Sequence, residues 1–239
     1  MTDVQQRVVV LGGTSGLGFA VADLLGSRGA EVVVVSSRQA SVDKALAKLP
    51  AGASGHAVDL RDEDAIRRLF ERIGPFDHLV YTAGEPLRLL TAADMPIEAA
   101  QDFFGLRFFS VLAAVKHAVP RIRPGGSITL TTGSAGERPS AGWSVAAAIC
   151  GAVSSLTKAL AIELAPLRVN AVAPGVTRSP LWAGLSEDDR DAYYRQVGDS
   201  LPLGRVGETD EVARAYAYLI EEPFSTGTVL PVDGGALVA

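Results

Sequence analysis

The feature that most constrains this chain is a β-branched run that ends directly in a cluster of glycines. Arg7–Leu11 (RVVVL) runs into Gly12-Gly13-Thr14-Ser15-Gly16-Leu17-Gly18, and a segment of helical period follows. Few backbones can make that passage. Glycine lets the chain turn tightly, approach a bound group closely and seat the next helix against the strand. The N-terminus of that helix presents free N–H groups and the positive end of its dipole, which suits a phosphate. At a first strand–helix turn, the loop reads as the pyrophosphate cradle of a dinucleotide-binding fold. Its candidate contacts are Gly12, Thr14, Ser15, Gly16, Leu17 and Gly18.

The alternation continues to the C-terminus. Glu31–Val35 is a second buried-strand run. Between the two runs, Gly18–Ser27 carries Phe19, Val21, Ala22, Leu24 and Leu25 at helical spacing and is closed by Gly29. His56–Val58, His78–Tyr81, Ser127–Thr131, Arg168–Val172 and Thr228–Val232 read as further strands. Asp62–Ile73, Ala99–Val119, Ala141–Leu164 and Thr209–Ile220 read as helices and Ser179–Ser200 as a looser stretch, with Val176–Ser200 forming a lid over the pocket. Seven strands alternating with helices predict an α/β, Rossmann-type, doubly wound and mostly parallel sheet with helices on both faces. No linker or repeat divides the 239 residues, so 1–239 reads as a single dinucleotide-binding domain.

Composition removes several function classes. The net charge is −5 and no basic stripe is present, which argues against a nucleic-acid partner. One cysteine and three histidines supply neither a disulfide framework nor a common structural zinc site, so no metal is expected and a reducing cytoplasm fits. The N-terminal apolar run is too short for a signal peptide, and no unbroken apolar stretch nears about 20 residues, so no membrane span is expected.

The end of the second strand bears on the choice of cofactor. NAD sites usually place an acid there to bond the ribose hydroxyls. This chain has Ser36-Ser37-Arg38 instead. Two hydroxyls and a guanidinium suit a 2′-phosphate, so NADP(H) is expected over NAD(H).

These motifs together resemble the short-chain dehydrogenase/reductase family. Gly12, Gly16 and Gly18 have the spacing of its GxxxGxG loop. Asp59-Leu60 resembles its adenine-binding step, and Ala83-Gly84 the end of its NNAG motif. Arg168–Gly175 (RVNAVAPG) is close to verbatim. The resemblance implies that Pro174, Gly175, Val176, Thr177 and Ser179 line the nicotinamide side. Pro202–Gly207 and Val232–Gly235 resemble the C-terminal signatures, so the likeness spans the chain.

The family's catalytic set is missing, however. That set is a tyrosine, a lysine four residues later that lowers its pKa, a serine that orients substrate and an asparagine on the preceding helix. A phenol at its free pKa of about 10 is a poor base at neutral pH, so the lysine matters. Aligned on Leu156–Leu160, the tyrosine falls on Ala146, the lysine on Cys150, the serine on Gly133 and the asparagine on Arg107. A one-residue slip restores nothing, because no tyrosine occurs between Thr82 and Ala192. The remaining candidates for chemistry are Ser134, which can hydrogen-bond a carbonyl, Arg107, an electrophile or a clamp for an anion, and Tyr81, at a strand's C-terminal end. Trp143 reads as a pocket wall or as part of the core, Cys150 as a buried small hydrophobe, and the histidines as too scattered for a site.

The expectation is a divergent NADP(H)-dependent oxidoreductase acting on a small apolar or anionic substrate through a non-standard proton arrangement. Two alternatives stay open: a non-redox nucleotide-binding protein (sensor, isomerase or dehydratase), and an inactive scaffold subunit of a hetero-oligomer. The resemblance further implies a homo-oligomer, a dimer or tetramer, through the two long helices.

Overall fold

The structure is a computed structural model that describes residues 5–87, 89 and 91–239. Strand β1 (Arg7–Leu11) leads through helix α1 (Gly16–Ser27) to β2 (Glu31–Ser36), and α2 (Gln39–Leu46) to β3 (Ser54–Ala57). Helix α3 (Glu63–Ile73) then crosses back to β4 (Phe76–Tyr81), on the other side of β1. The rest of the main sheet is β5 (Ile122–Thr131), β6 (Arg168–Pro174) and β9 (Val229–Val232), giving the order β3-β2-β1-β4-β5-β6-β9 with every pair parallel. The strand order therefore reverses between β1 and β4. A crevice opens at the carboxyl ends of strands at such a point, and it is where ligands bind in open α/β sheets.

The β-branched runs are buried on both sides, which explains why they lack polar alternation. Val8 and Val10 face one helical layer and Val9 and Leu11 the other, as the two-residue period of a strand requires. Val9, Leu11, Val33 and Leu79 pack against Ile66, Phe70, Val111 and Val153. Val8, Val10, Val34 and Val172 pack against Val21, Leu25, Val212 and Tyr216 of α1 and of α8 (Thr209–Glu221). Each such fully buried side chain contributes about 1.5–3 kcal/mol.

Helix boundaries follow local chemistry. Asp62 caps α3 by accepting from the Ala65 N–H at 3.1 Å, and Gly74, at φ +70°, ends it. The long helix expected over 99–119 runs from Ile97 as α4 (Ile97–Phe104) and α5 (Ser110–Ala118), joined by a π-turn at Gly105–Phe109. A π-turn leaves main-chain carbonyls short of partners. The Ser110 hydroxyl donates to Gly105 O at 3.1 Å, and the Tyr81 hydroxyl to Leu106 O at 2.6 Å.

Two expectations are corrected. The stretch Ser179–Ser200 is not loose: it contains α7 (Glu187–Ser200), capped by Ser186, which accepts from the Asp189 N–H at 3.2 Å. Its sequence is mostly polar and buries only Tyr194 and Gly198, so no apolar period announces it. A two-residue pair, β7 (Thr177–Arg178) with β8 (Gly207–Glu208), lies outside the main sheet. Ile97–Arg121 and Ser144–Glu163 (α6) are by length and composition apolar enough to cross a membrane. Here each lays a face on the sheet, through Val111, Ala114 and Ala118 and through Val145, Ile149 and Val153.

Candidate active site

The glycine loop is packed without spare room. A Cβ on Gly18 would lie 2.3 Å from Gly12 O and from the Thr82 hydroxyl. One on Gly12, at φ +87°, would lie 2.6 Å from the Ala83 backbone. The loop thus binds α1, the end of β1 and the Thr82–Ala83 segment together, and Thr82 Oγ1 donates to Leu11 O at 3.0 Å. Ser15 is extended, its side chain makes no capping bond, and the first turn of α1 carries no acid. The helix N-terminus is therefore open to an anion.

The other candidate cofactor residues surround this cradle. A Cβ on Gly16 would lie 3.3 Å from Pro180 and 3.8 Å from Ser179, so the loop faces the segment that follows β6. In that segment Thr177 Oγ1 donates to Gly175 O at 3.0 Å, and Ser179 Oγ accepts from the Leu181 N–H at 3.4 Å. Pro174 and Val176 flank them, partly exposed. Ser36 closes β2, while Ser37 and Arg38 are exposed beyond it, with Arg38 at the N-cap of α2. Asp59 is exposed and accepts from the Arg61 N–H at 2.9 Å, and Leu60 beside it is buried. The structure places every residue of the expected set at the carboxyl edge of the sheet, from β3 to β6.

Beside the cradle is a cavity of about 60 Å³ lined by Tyr81, Thr82, Ala83, Arg107, Thr132 and Cys150, among others. A larger cavity, about 390 Å³, lies beyond Arg61 against α4 and α5 and shares none of these residues. Two of the four positions aligned with the family's catalytic set, Arg107 and Cys150, line the small one. The aligned positions adjoin there: a side chain at Gly133 would meet Cys150 Sγ at 3.2 Å. Burial pushes the Cys150 thiol pKa up, against a lowering by Thr132, so it stays neutral. Cys150 is half-buried and lines the cavity, where the sequence reading expected a buried small hydrophobe.

Of the catalytic candidates, Arg107 alone presents an ionised group here. The π-turn carries it, its Nη2 donates to the main-chain oxygen of Glu85, and its guanidinium lies 4.7 Å over the Phe103 ring. Gly84 leaves the space it occupies: a Cβ there would come within 2.8 Å of the guanidinium. Burial pulls the Arg107 pKa down and the Glu85 charge opposes that. Its acidic partner is Glu85, at 3.6 Å. Glu85 was readable as the residue after Ala83-Gly84, but nothing in its spacing linked it to residue 107. Its other oxygen meets Arg61 at 3.2 Å.

Tyr81 and Ser134 fare differently. Tyr81 lines the cavity, but its proton is committed to Leu106 O, and burial pushes its pKa further above the ordinary phenol value. It is a structural prop of the π-turn. Ser134 opens a short 3-10 turn, where its main-chain oxygen accepts from Glu137 and Arg138, and it is not among the lining residues of the cavity. Of the two readings of Trp143, wall or core, the structure bears out the second: it packs in a hydrophobic cluster with Trp182 and Tyr193, its ring 6.0 Å from Trp182.

With this arrangement in view, comparison with known proteins is direct. Residues 3–239 match the family model of the SDR-like Rossmann domain. The chain is 38% identical to Short-chain dehydrogenase/reductase ATR9 of Stachybotrys chlorohalonatus, over 98% of this chain and 97% of that one. A small-chain dehydrogenase solved in complex with NADPH is 40% identical, with a TM-score of 0.88 over 99% of this chain and 100% of that one. The MalC reductase/Diels-Alderase of Malbranchea aurantiaca is 30% identical, with a TM-score of 0.91 over 98% and 97%. A 3-ketoacyl-(acyl-carrier-protein) reductase of Brucella melitensis, 28% identical with a TM-score of 0.88 over 98% of each chain, was solved with NADH. The chain belongs to the short-chain dehydrogenase/reductase family, a family of NAD(P)-dependent oxidoreductases.

Proposed function

We propose that this protein is an NADP(H)-dependent oxidoreductase that moves hydride to or from a small organic substrate without a tyrosine–lysine couple. The observation that carries the reading is the tight glycine cradle, open to an anion, set against a cavity at the reversal of strand order. In this reading the Gly12–Gly18 loop and the α1 N-terminus hold the pyrophosphate. Ser36, Ser37 and Arg38 take the 2′-phosphate. Asp59 and Leu60 contact the adenine, Ala83 and Gly84 the ribose, and Pro174–Thr177 with Ser179 the nicotinamide side. The nicotinamide supplies the hydride chemistry when bound.

The chain's own part is to bind, orient and stabilise charge. Arg107 is the cationic group positioned to polarise a substrate oxygen. With Tyr81 bonded to Leu106 O and Ala146 at the tyrosine position, no phenol lies ready to move a proton at the cavity among the described residues. Substrates already activated toward hydride, such as conjugated carbonyls or iminium ions, fit a site of that kind. The test is deuterium transfer from 4-deuterated NADPH and NADH across a panel of ketones, enones and imines. Deuterium in a product, with NADPH preferred, supports the reading, and cofactor binding without transfer to any acceptor refutes it.

A further inference from the structure

The hydrogen bonds around the cavity point to what it binds. Four hydroxyl groups line or adjoin it, and all four protons are spent on the protein's own oxygens. Tyr81 donates to Leu106 O, Thr82 to Leu11 O and Thr132 to Cys150 O. Thr131 donates to Tyr81 O at 2.6 Å. The guanidinium of Arg107 is different. It has five N–H donors, and among the described residues it makes one hydrogen bond, to Glu85 O. Its Nε is buried with no acceptor within hydrogen-bond range, and Glu85 Oε2, 3.6 Å away, is buried with no donor. Donation of a hydrogen bond to a ligand oxygen at this cavity therefore falls to Arg107 among the side chains that line it, while the hydroxyl oxygens retain only accepting capacity.

Charge narrows the class further. Glu85 does not fully neutralise Arg107, because its Oε1 is 3.2 Å from Arg61 Nη2. One carboxylate serves two cations. Asp102 lies 3.5 Å from Arg61 but is 63% exposed, so water screens it from the cavity. Arg107 is also held in one orientation by the π-turn, by Gly84 beneath it and by the Phe103 face. A planar guanidinium fixed in this way is suited to a planar anion. The volume, about 60 Å³, admits one functional group and not a whole ligand.

We propose that the Arg107 slot is an oxyanion subsite that takes the carboxylate or enolate oxygen of the substrate, with the Glu85 carboxylate as its resident competitor. This deepens the oxidoreductase reading by naming the substrate class, but binding at the slot does not depend on hydride transfer. The experiment is calorimetric titration of the full-length protein, saturated with NADP⁺, with benzoate and with its neutral isostere benzamide. The wild type is expected to bind benzoate at least about tenfold tighter. Arg107→Gln is expected to abolish that preference, and Glu85→Gln, which removes the competing negative charge, to keep or strengthen it. If Arg107→Gln fails to fold, Arg107→Lys serves, with benzoate binding weakened and the preference reduced. Equal binding of the two probes by the wild type, absence of benzoate binding, or a preference that survives loss of Arg107 overturns the proposal. NADPH titration of the same proteins separates the two readings. Normal NADPH binding without a benzoate preference sinks the subsite alone, whereas a benzoate preference that follows Arg107 without NADPH binding sinks the cofactor reading alone.

Discussion

Replacing Gly18 by alanine tests the cradle most sharply, because the structure fixes both the size and the place of the damage. The added Cβ would lie 2.3 Å from Gly12 O and from Thr82 Oγ1, whereas ordinary contact begins near 3.4 Å. Helix α1 must therefore retreat by about 1 Å from the loop. Overpacking of this kind costs about 1–3 kcal/mol. Strain on the bond between Thr82 and Leu11 O adds about 1 kcal/mol. For a chain of this length each kcal/mol lowers Tm by about 2–4 °C, so a fall of roughly 4–16 °C is expected. The retreat also withdraws the α1 N–H groups from the pyrophosphate, and NADPH affinity is expected to drop by at least about tenfold. The control is Gly29→Ala, at φ +91° with no atom within 4 Å, where only backbone strain acts and NADPH binding should be unchanged. Thermal melts and fluorescence titration of both variants provide the check. If Gly18→Ala melts within 2 °C of the wild type and binds NADPH normally, the packing argument is wrong.

Three further outcomes are expected. Arg38→Ala should erase the preference for NADPH by weakening NADPH binding at least about tenfold while leaving NADH unchanged; an unchanged NADPH:NADH ratio speaks against the Ser36–Arg38 reading. Tyr81→Phe should cost about 1–3 kcal/mol in denaturant unfolding, since it strips Leu106 O of its donor. Cofactor binding should survive that change, and any measurable hydride transfer should retain its pH profile; a lost alkaline limb would instead mark Tyr81 as an acid. Buried His78 should make stability depend on pH, because desolvation lowers its pKa from 6.5 to about 4. Between those values the unfolded chain holds the extra proton, so stability is fully present above pH 6.5 and is lost as the pH falls toward 4. The loss amounts to about 3 kcal/mol, and His78→Asn should flatten that part of a urea-unfolding profile against pH.

The fold was legible because its strands carry their own signature. Val8–Leu11 and Val32–Val35 are buried on both faces, so an unbroken β-branched run suffices to mark them. The glycine loop was legible for a related reason, since the crowding at Gly12 and Gly18 leaves only one residue type that fits. Helix α7 was not legible. It buries two residues and is otherwise a polar segment held by its cap, and a hydrophobic period cannot report such a helix. At the site, Arg107 could be placed by counting along the chain. Its partner could not, because Glu85 reaches it from the loop after β4, and the π-turn that aims Arg107 depends on Tyr81 and Ser110. Sequence spacing carries the backbone scaffold of this site, but pairing between side chains from separate elements emerges only when the sheet is assembled.

The central claim is that hydride moves at a site without the tyrosine–lysine couple. The most direct measurement is a single-turnover reaction of the purified protein with 4-deuterated NADPH and a conjugated carbonyl bearing a carboxylate, followed by mass spectrometry of the product. The account predicts one deuterium on carbon in the product, and loss of that signal in Arg107→Gln while NADPH still binds. Saturable NADPH binding with no deuterium transferred to this or any ketone, enone or imine would contradict it.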